Sequence, residues 1–79
     1  MKLICMYQPF ISHSKIALID ENNQTYFNIP NAVLEEQILA FIDEYKVDSV
    51  QIFCTSGNAF VSQIKAKIAN QFPNITIQD

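Results

Sequence analysis

The chain has few of the residues with which proteins bind nucleic acids. Of its 79 residues, five are Lys or Arg and eight are Asp or Glu, which gives a net charge of −3. The lysines are scattered along the chain, and only Lys65 and Lys67 lie close together. Binding to a phosphate backbone requires several clustered cations. We therefore expect no nucleic-acid partner.

Glycine, cysteine and histidine are also scarce. Gly57 is the only glycine, so the chain lacks the glycine-rich loops that bind nucleotide phosphates. The two cysteines, Cys5 and Cys54, each lie in a predicted buried strand, which favours free core thiols in a reducing compartment. A disulfide between neighbouring strands is the alternative. The sequence predicts no cofactor and no metal site.

Long apolar runs are missing as well. The N-terminal sequence does not resemble a signal peptide, and no run is long enough to span a membrane, so we expect a soluble, cytoplasmic protein. A hydrophobic content of 49% is typical of a folded chain, and residues 1–79 are predicted to form a single domain. So short a chain buries only about 60% of its unfolded surface, so association with another chain would stabilise it.

One stretch, residues 50–64, predicts a buried strand, a tight polar turn and the start of a helix. The turn contains four residues that could bind an anion weakly at the helix N-terminus, which makes a nucleotide- or anion-binding module an alternative function: Thr55, Ser56, Gly57 and Asn58. The alternative is that Ser56 or Asn58 only caps the helix and that Gly57 only makes the turn.

The pattern of the whole chain predicts an α/β fold with the element order βββαβαβ. Strands are predicted over residues 2–7, 15–20, 24–29, 47–54 and 74–79, and the second helix over residues 58–71. The first helix is expected to begin at Pro30 and Asn31, with Asn31 as N-cap, and to end near Lys46, whose positive charge matches the C-terminal end of the helix dipole. Right-handed crossovers then give a mixed five-stranded sheet of order 3-2-1-4-5, with both helices on one face.

This order resembles the core of the ribonuclease H-like fold, which actin-like ATPases share. The segment IFCTSGNAFVSQIKAKIANQFPNITI is also similar to the strand, glycine turn, helix and strand that end actin-like ATPase subdomains. The topological resemblance covers nearly the whole chain, and the sequence resemblance covers its last third. The resemblance implies a truncated core of this class.

The catalytic residues of those families do not match this sequence. The resemblance implies a nuclease aspartate in the middle of the first strand, where LICMY has no carboxylate, and a third acid at the end of the fourth strand, where Cys54 and Thr55 stand. Only the second acid has a counterpart, in Glu35 or Glu36. The ATPase phosphate loop corresponds to residues 7–14, which contain neither an acid nor a glycine. We therefore expect neither activity.

Cys54 and His13 form the strongest catalytic alternative. A helix N-terminus lowers a thiol pKa, so Cys54 before the second helix could act as a nucleophile. His13 could lie near it, because the loops that follow the first and fourth strands leave the same end of the sheet. The competing interpretations are a core thiol and an exposed loop histidine.

The strongest functional expectation is a protein partner. If both helices cover one face, the other face of the first and fourth strands exposes large apolar side chains, and we expect Ile4, Met6 and Phe53 to form an interface. The edge strands offer strand addition as a second route. The sequence thus predicts a small, non-catalytic binding or regulatory protein, a homodimer or a partner of another protein. A phage or mobile-element inhibitor or adaptor would fit its size and acidity.

Overall fold

The structure is a computed structural model, and it describes residues 1–54 and 59–78. Its elements follow the predicted order βββαβαβ, with one short 3-10 helix before the first α-helix. In chain order they are β1 Lys2–Tyr7, β2 His13–Ile19, β3 Gln24–Pro30, the 3-10 helix Asn31–Val33, α1 Leu34–Glu44, β4 Ser49–Cys54, α2 Ala59–Gln71 and β5 Thr76–Gln78.

The five strands form one mixed sheet of order β3-β2-β1-β4-β5, so the predicted strand order is confirmed. β2 is antiparallel to β1 and β3, while β1 pairs with β4 and β4 with β5 in parallel. Parallel neighbours need long connections, and α1 and α2 supply them. β1 is the middle strand, which agrees with its apolar residues on both faces.

Both helices pack on one face of the sheet, as predicted from right-handed crossovers. The buried residues of α1 and α2 join alternate residues of β1, β2 and β4 in one core. The fully or almost fully buried members are Leu3, Cys5, Ile16, Leu18, Leu34, Ile38, Ile42, Val50, Ile64 and Ile68. The period of two along the strands and of about 3.6 along the helices is the reason that these residues share one layer.

Several element ends differ from the sequence prediction. β2 begins at His13 rather than at residue 15, and β5 has three residues. β4 begins at Ser49 rather than at residue 47, because the Val47 N–H donates to the Ile42 carbonyl, 3.2 Å away. Val47 therefore belongs to the end of α1 and not to the ladder of β4.

That helix end contains a backbone conformation unusual for its residue. Tyr45 is the C-cap of α1, and Lys46 follows it with a positive φ of 53°. The bond from the Val47 N–H to the Ile42 carbonyl is the six-to-one bond of a Schellman motif. Glycine usually occupies the left-handed position, because a Cβ atom there is crowded. Lys46 thus costs stability at a place where the sequence showed only a charge suited to the helix dipole.

Replacing Lys46 by glycine should stabilise the fold. We expect Lys46→Gly to raise the free energy of unfolding by about 0.5 to 1 kcal/mol, because removing the Cβ relieves the left-handed strain by more than the added unfolded-state entropy costs. Urea denaturation would measure it. Lys46→Ala removes the charge but keeps the Cβ, and so should give no such gain. Equal gains in both variants would contradict this explanation.

The two edges of the sheet are unequal. β3 is a seven-residue edge strand, QTYFNIP, that contains no charged side chain. β5 at the opposite edge has only three residues, TIQ. Edge strands expose unpaired backbone groups that can pair with another chain.

Candidate functional site

The face of the sheet opposite the helices, here called the open face, is not covered by any helix or strand among the described residues. Met6 and Phe53 on this face are 47% and 42% exposed, and Tyr26 is 70% exposed. Leu3 and Cys5, which alternate with Met6 along β1, are fully buried on the other face. The strand residues on the open face include Lys2, Ile4, Met6, His13, Lys15, Ala17, Ile19, Tyr26, Asn28, Gln51 and Phe53.

Strand register brings the apolar residues of the open face together. Met6 pairs with Phe53 on one side and with Lys15 on the other. Ile4 pairs with Ala17, and Ala17 pairs in turn with Tyr26. The predicted interface residues Ile4, Met6 and Phe53 are therefore neighbours on one surface, and Tyr26 and Ala17 extend it toward the β3 edge.

Two shallow apolar pockets lie along this surface. The first, here called the Ala17 pocket, has a volume of about 190 Å³ and is lined by Ile4, Met6, Lys15, Ile16, Ala17 and Tyr26. The second has a volume of about 200 Å³ and is lined by residues 6–11, the end of β1 and the loop after it. Phe10 in this loop is 87% exposed. Together the pockets make the open face an uneven apolar surface rather than a flat one.

A buried polar cluster fixes the loop between β1 and β2. Ser14 is fully buried; its Oγ accepts a hydrogen bond from the Gln8 N–H at 2.9 Å and donates to Asn31 Oδ1 at 2.5 Å. The Asn31 side-chain amide donates to the carbonyls of Gln8 and Ile11, at 2.9 and 2.8 Å. The Asn31 N–H donates to the Ser12 carbonyl at 2.9 Å. The loop that carries Phe10 is thus held at both ends.

This cluster corrects the role that the sequence suggested for Asn31. Pro30 is the N-cap of the 3-10 helix and Val33 that of α1, and neither cap makes a side-chain hydrogen bond. The Asn31 side-chain amide instead donates hydrogen bonds to a loop about 20 residues earlier in the chain. In the sequence, only Ser14 indicates this cluster. It is a small polar residue at a position of β2 that faces the core, where the alternation of apolar and polar residues would place an apolar side chain.

Charge on the open face is cationic, although the chain is acidic. Among the strand residues on this face, Lys2 and Lys15 are charged, and none is a carboxylate. The first helix carries the acids Glu35, Glu36, Asp43 and Glu44 on the other side of the sheet. Glu35, one of the two candidate counterparts of a nuclease acid, accepts a hydrogen bond from Lys67 Nζ at 2.8 Å across the two helices.

The predicted anion-binding turn, Thr55, Ser56, Gly57 and Asn58, lies outside the described residues. Within residues 1–54 and 59–78, no three His, Cys, Asp or Glu side chains are close enough together to hold a metal ion. The structure also separates the two residues of the catalytic alternative. Strand alternation places His13 on the open face and Cys54 on the face toward the helices, with β1 between their strands. His13 Nδ1 is hydrogen-bonded instead to Ser12 Oγ at 2.7 Å.

Both cysteines are free, as the first interpretation of the sequence held. Their strands are neighbours, but Cys5 pairs with Ile52, and Cys54 pairs with Tyr7. The thiols are therefore offset by two residues along the sheet. Cys5 is fully buried in the core, and burial raises the pKa of its thiol from 9.0 to about 12.

The Cys5 thiol should make the fold less stable in alkaline solution. The unfolded thiol ionises near pH 9, whereas the folded thiol keeps its proton until about pH 12. The stabilising contribution is therefore complete below pH 9 and is lost as the pH rises, by up to about 1.4 kcal/mol per pH unit. Urea denaturation at neutral pH and at about pH 10 would measure the loss. Cys5→Ala should lose less stability over the same interval, and equal losses would contradict the assignment.

Neither described helix is long and apolar enough to cross a lipid bilayer.

Compared with known proteins, the chain matches no protein-family model, no curated protein and no solved structure.

Proposed function

We propose that this chain is a small, non-catalytic binding protein that acts through its open face, and that the partner on this face is a second copy of the chain. The observation that carries the proposal is the continuous apolar surface of Ile4, Met6, Phe53 and Tyr26 opposite the helices. Soluble monomers rarely expose large contiguous apolar patches, and such patches mark interaction sites.

The size of the open face suits a dimer. Five strands about 4.8 Å apart, with about six residues each at about 3.3 Å per residue, give a face of about 500 Å². Two copies packed face to face would bury about 1,000 Å², which is near the lower limit for a specific interface. Additional area would come from Phe10 and Ile11 in the loop after β1, which are both exposed.

The charges on the open face are compatible with self-association. Lys15 lines the Ala17 pocket, so its methylene groups add apolar contact area while the ammonium group can extend to the margin. Lys2 lies at the first position of β1, at one end of the face. The negative charges of α1 lie behind the sheet and are kept apart in a face-to-face pair.

We also propose that the fold belongs to the ribonuclease H-like class. The support is the strand order β3-β2-β1-β4-β5 with β2 antiparallel to its neighbours and with crossover helices before β4 and β5. If the chain belongs to this class, its second sheet face has no covering helices among the residues that the structure describes, and a partner takes the place of those helices.

Phe53→Asp is the variant that tests the open face. Placing a carboxylate in this apolar interface should weaken the dimer by roughly 100-fold, or about 2.7 kcal/mol, because the apolar contacts of the ring are lost and burying a carboxylate costs more free energy than a nearby lysine returns. Sedimentation over a range of protein concentrations would measure the dissociation constant, and far-UV circular dichroism would verify folding.

Val33→Asp provides a matched control. Val33 is 42% exposed, as Phe53 is, but it lies at the start of α1, away from the open face. The same change of apolar residue to carboxylate should leave the dimer unchanged there. A wild-type protein that stays monomeric at high micromolar concentration, or equal weakening by both variants, would overturn the proposed function.

A further inference from the structure

The open face has an exposed aromatic ring on one side of its middle strand and a recess on the other. Phe53 lies on β4, and its exposed side chain lies beside Met6 of β1. The Ala17 pocket lies on the opposite side of β1, where the small Ala17 side chain stands between Ile4 and Tyr26. A surface that carries both features can be complementary to itself.

The position of β1 determines which symmetry would join them. β1 is the third of five strands, so a two-fold axis running along it, between two facing sheets, would place β4 of each copy over β2 of its partner. Met6 pairs with both Phe53 and Lys15, so these two residues lie at the same level on either side of β1. The axis therefore brings Phe53 over Lys15 of the other copy, at the Met6 end of the Ala17 pocket, and Ala17 itself lies two residues along β2 at the level of Ile4.

We propose that the homodimer has this geometry, with Phe53 of each copy inserted into the Ala17 pocket of the other. This inference rests on the proposed function and specifies the contact that would hold the dimer together. The pocket volume of about 190 Å³ is sufficient for a phenyl ring, since an apolar cavity of about 150 Å³ holds a benzene molecule. Its lining is almost entirely apolar side-chain surface.

The position of the Ala17 pocket favours this axis over the alternative. A two-fold axis perpendicular to the strands would place β2 over β2 and β4 over β4, so that Lys15 would face the same strand of its partner and Phe53 would miss the pocket. With the axis along β1, Lys15 instead faces the aromatic ring of Phe53 from the other copy. A lysine ammonium group near an aromatic face is a favourable contact. The same axis brings the two Lys2 side chains opposite each other at the end of β1, where their ammonium groups can extend into solvent.

The test exchanges the aromatic ring at position 53 with the small side chain at position 17. Phe53→Ala removes the inserted ring, and Ala17→Phe fills the pocket; each should weaken the dimer at least about tenfold, as the loss of a central interface anchor does. The combined variant, with Phe53→Ala and Ala17→Phe, places a ring on β2 diagonally across from a small residue on β4 of the partner, since Ala17 is at the level of Gln51, two residues before Phe53. It should recover dimerisation to within about threefold of the wild type.

Sedimentation of all variants gives the dissociation constants, and Ala40→Phe, on the exposed side of α1, controls for the addition of a ring elsewhere. Unchanged dimerisation of Ala17→Phe, or a combined variant that is no tighter than the weaker single variant, would overturn this geometry. If Phe53→Asp breaks the dimer while Ala17→Phe does not, the open face stands as the interface and only the insertion fails. A monomeric wild type would overturn both.

Discussion

Leu3→Ala is expected to lower the free energy of unfolding by about 3 to 4 kcal/mol, whereas Ile4→Ala, one residue later, should lower it by only about 1 to 2 kcal/mol. Leu3 is fully buried between the sheet and the helices, so truncation leaves a cavity in the core. Ile4 is half-buried on the open face, so its truncation loses fewer contacts and solvent can reach the space.

The two substitutions form a matched pair, since each removes an aliphatic side chain from the middle of β1. Urea denaturation at submicromolar concentration, where the proposed dimer dissociates, would measure both. Sedimentation should give the opposite order of effects on dimerisation. Ile4→Ala should weaken the dimer directly, whereas Leu3→Ala should weaken it only through loss of folding. Similar losses of stability in both variants would mean that both faces of the sheet are covered within one copy.

Asn31→Ala should cost about 3 kcal/mol of unfolding free energy, a large loss for a polar residue. The substitution removes the donors to the Gln8 and Ile11 carbonyls and leaves the buried Ser14 hydroxyl without its acceptor. Each buried polar group that loses its partner costs roughly 1 to 3 kcal/mol. Thermal or urea unfolding would measure the change.

Asn28→Ala is the control for this effect, because Asn28 is an exposed asparagine on the neighbouring strand β3. It should alter stability by less than about 0.5 kcal/mol. Combining Asn31→Ala with Ser14→Ala should cost less than the sum of the two single changes, by at least about 1 kcal/mol, because the residues share one hydrogen bond. Additive costs would show that the two side chains act independently.

The strand and helix pattern was predictable because each element has a strong local period. The limits of β1 agree with its run of apolar residues, and the alternation in β1 and β4 assigned Ile4, Met6 and Phe53 to one face. Crossover handedness then placed both helices on the other face. These properties depend on neighbours in sequence and on general rules, so one chain is enough to infer them.

Other features depend on contacts that local sequence does not encode. Asn31 was expected to cap a helix, because asparagine before an apolar run usually does so; its partners Gln8, Ile11 and Ser14 are 17 to 23 residues earlier in the chain. Lys46 was expected only to complement a helix dipole, and its left-handed φ follows from the tight return to Val47. The Ala17 pocket arises from side chains of three strands and has no motif of its own.

The unequal edges of the sheet have a consequence for solubility during expression. Growth into a fibril requires each copy to join its neighbour head to tail, with the β3 edge of one against the β5 edge of the next. β5 has only three residues, so such a joint would have too few ladder hydrogen bonds to persist. Two copies could instead pair through their seven-residue β3 strands, which carry no charge. Such a pair has no free β3 edge left, and only the short β5 edge of each copy remains. Edge pairing by itself should therefore give small closed assemblies of this protein rather than fibrous precipitate.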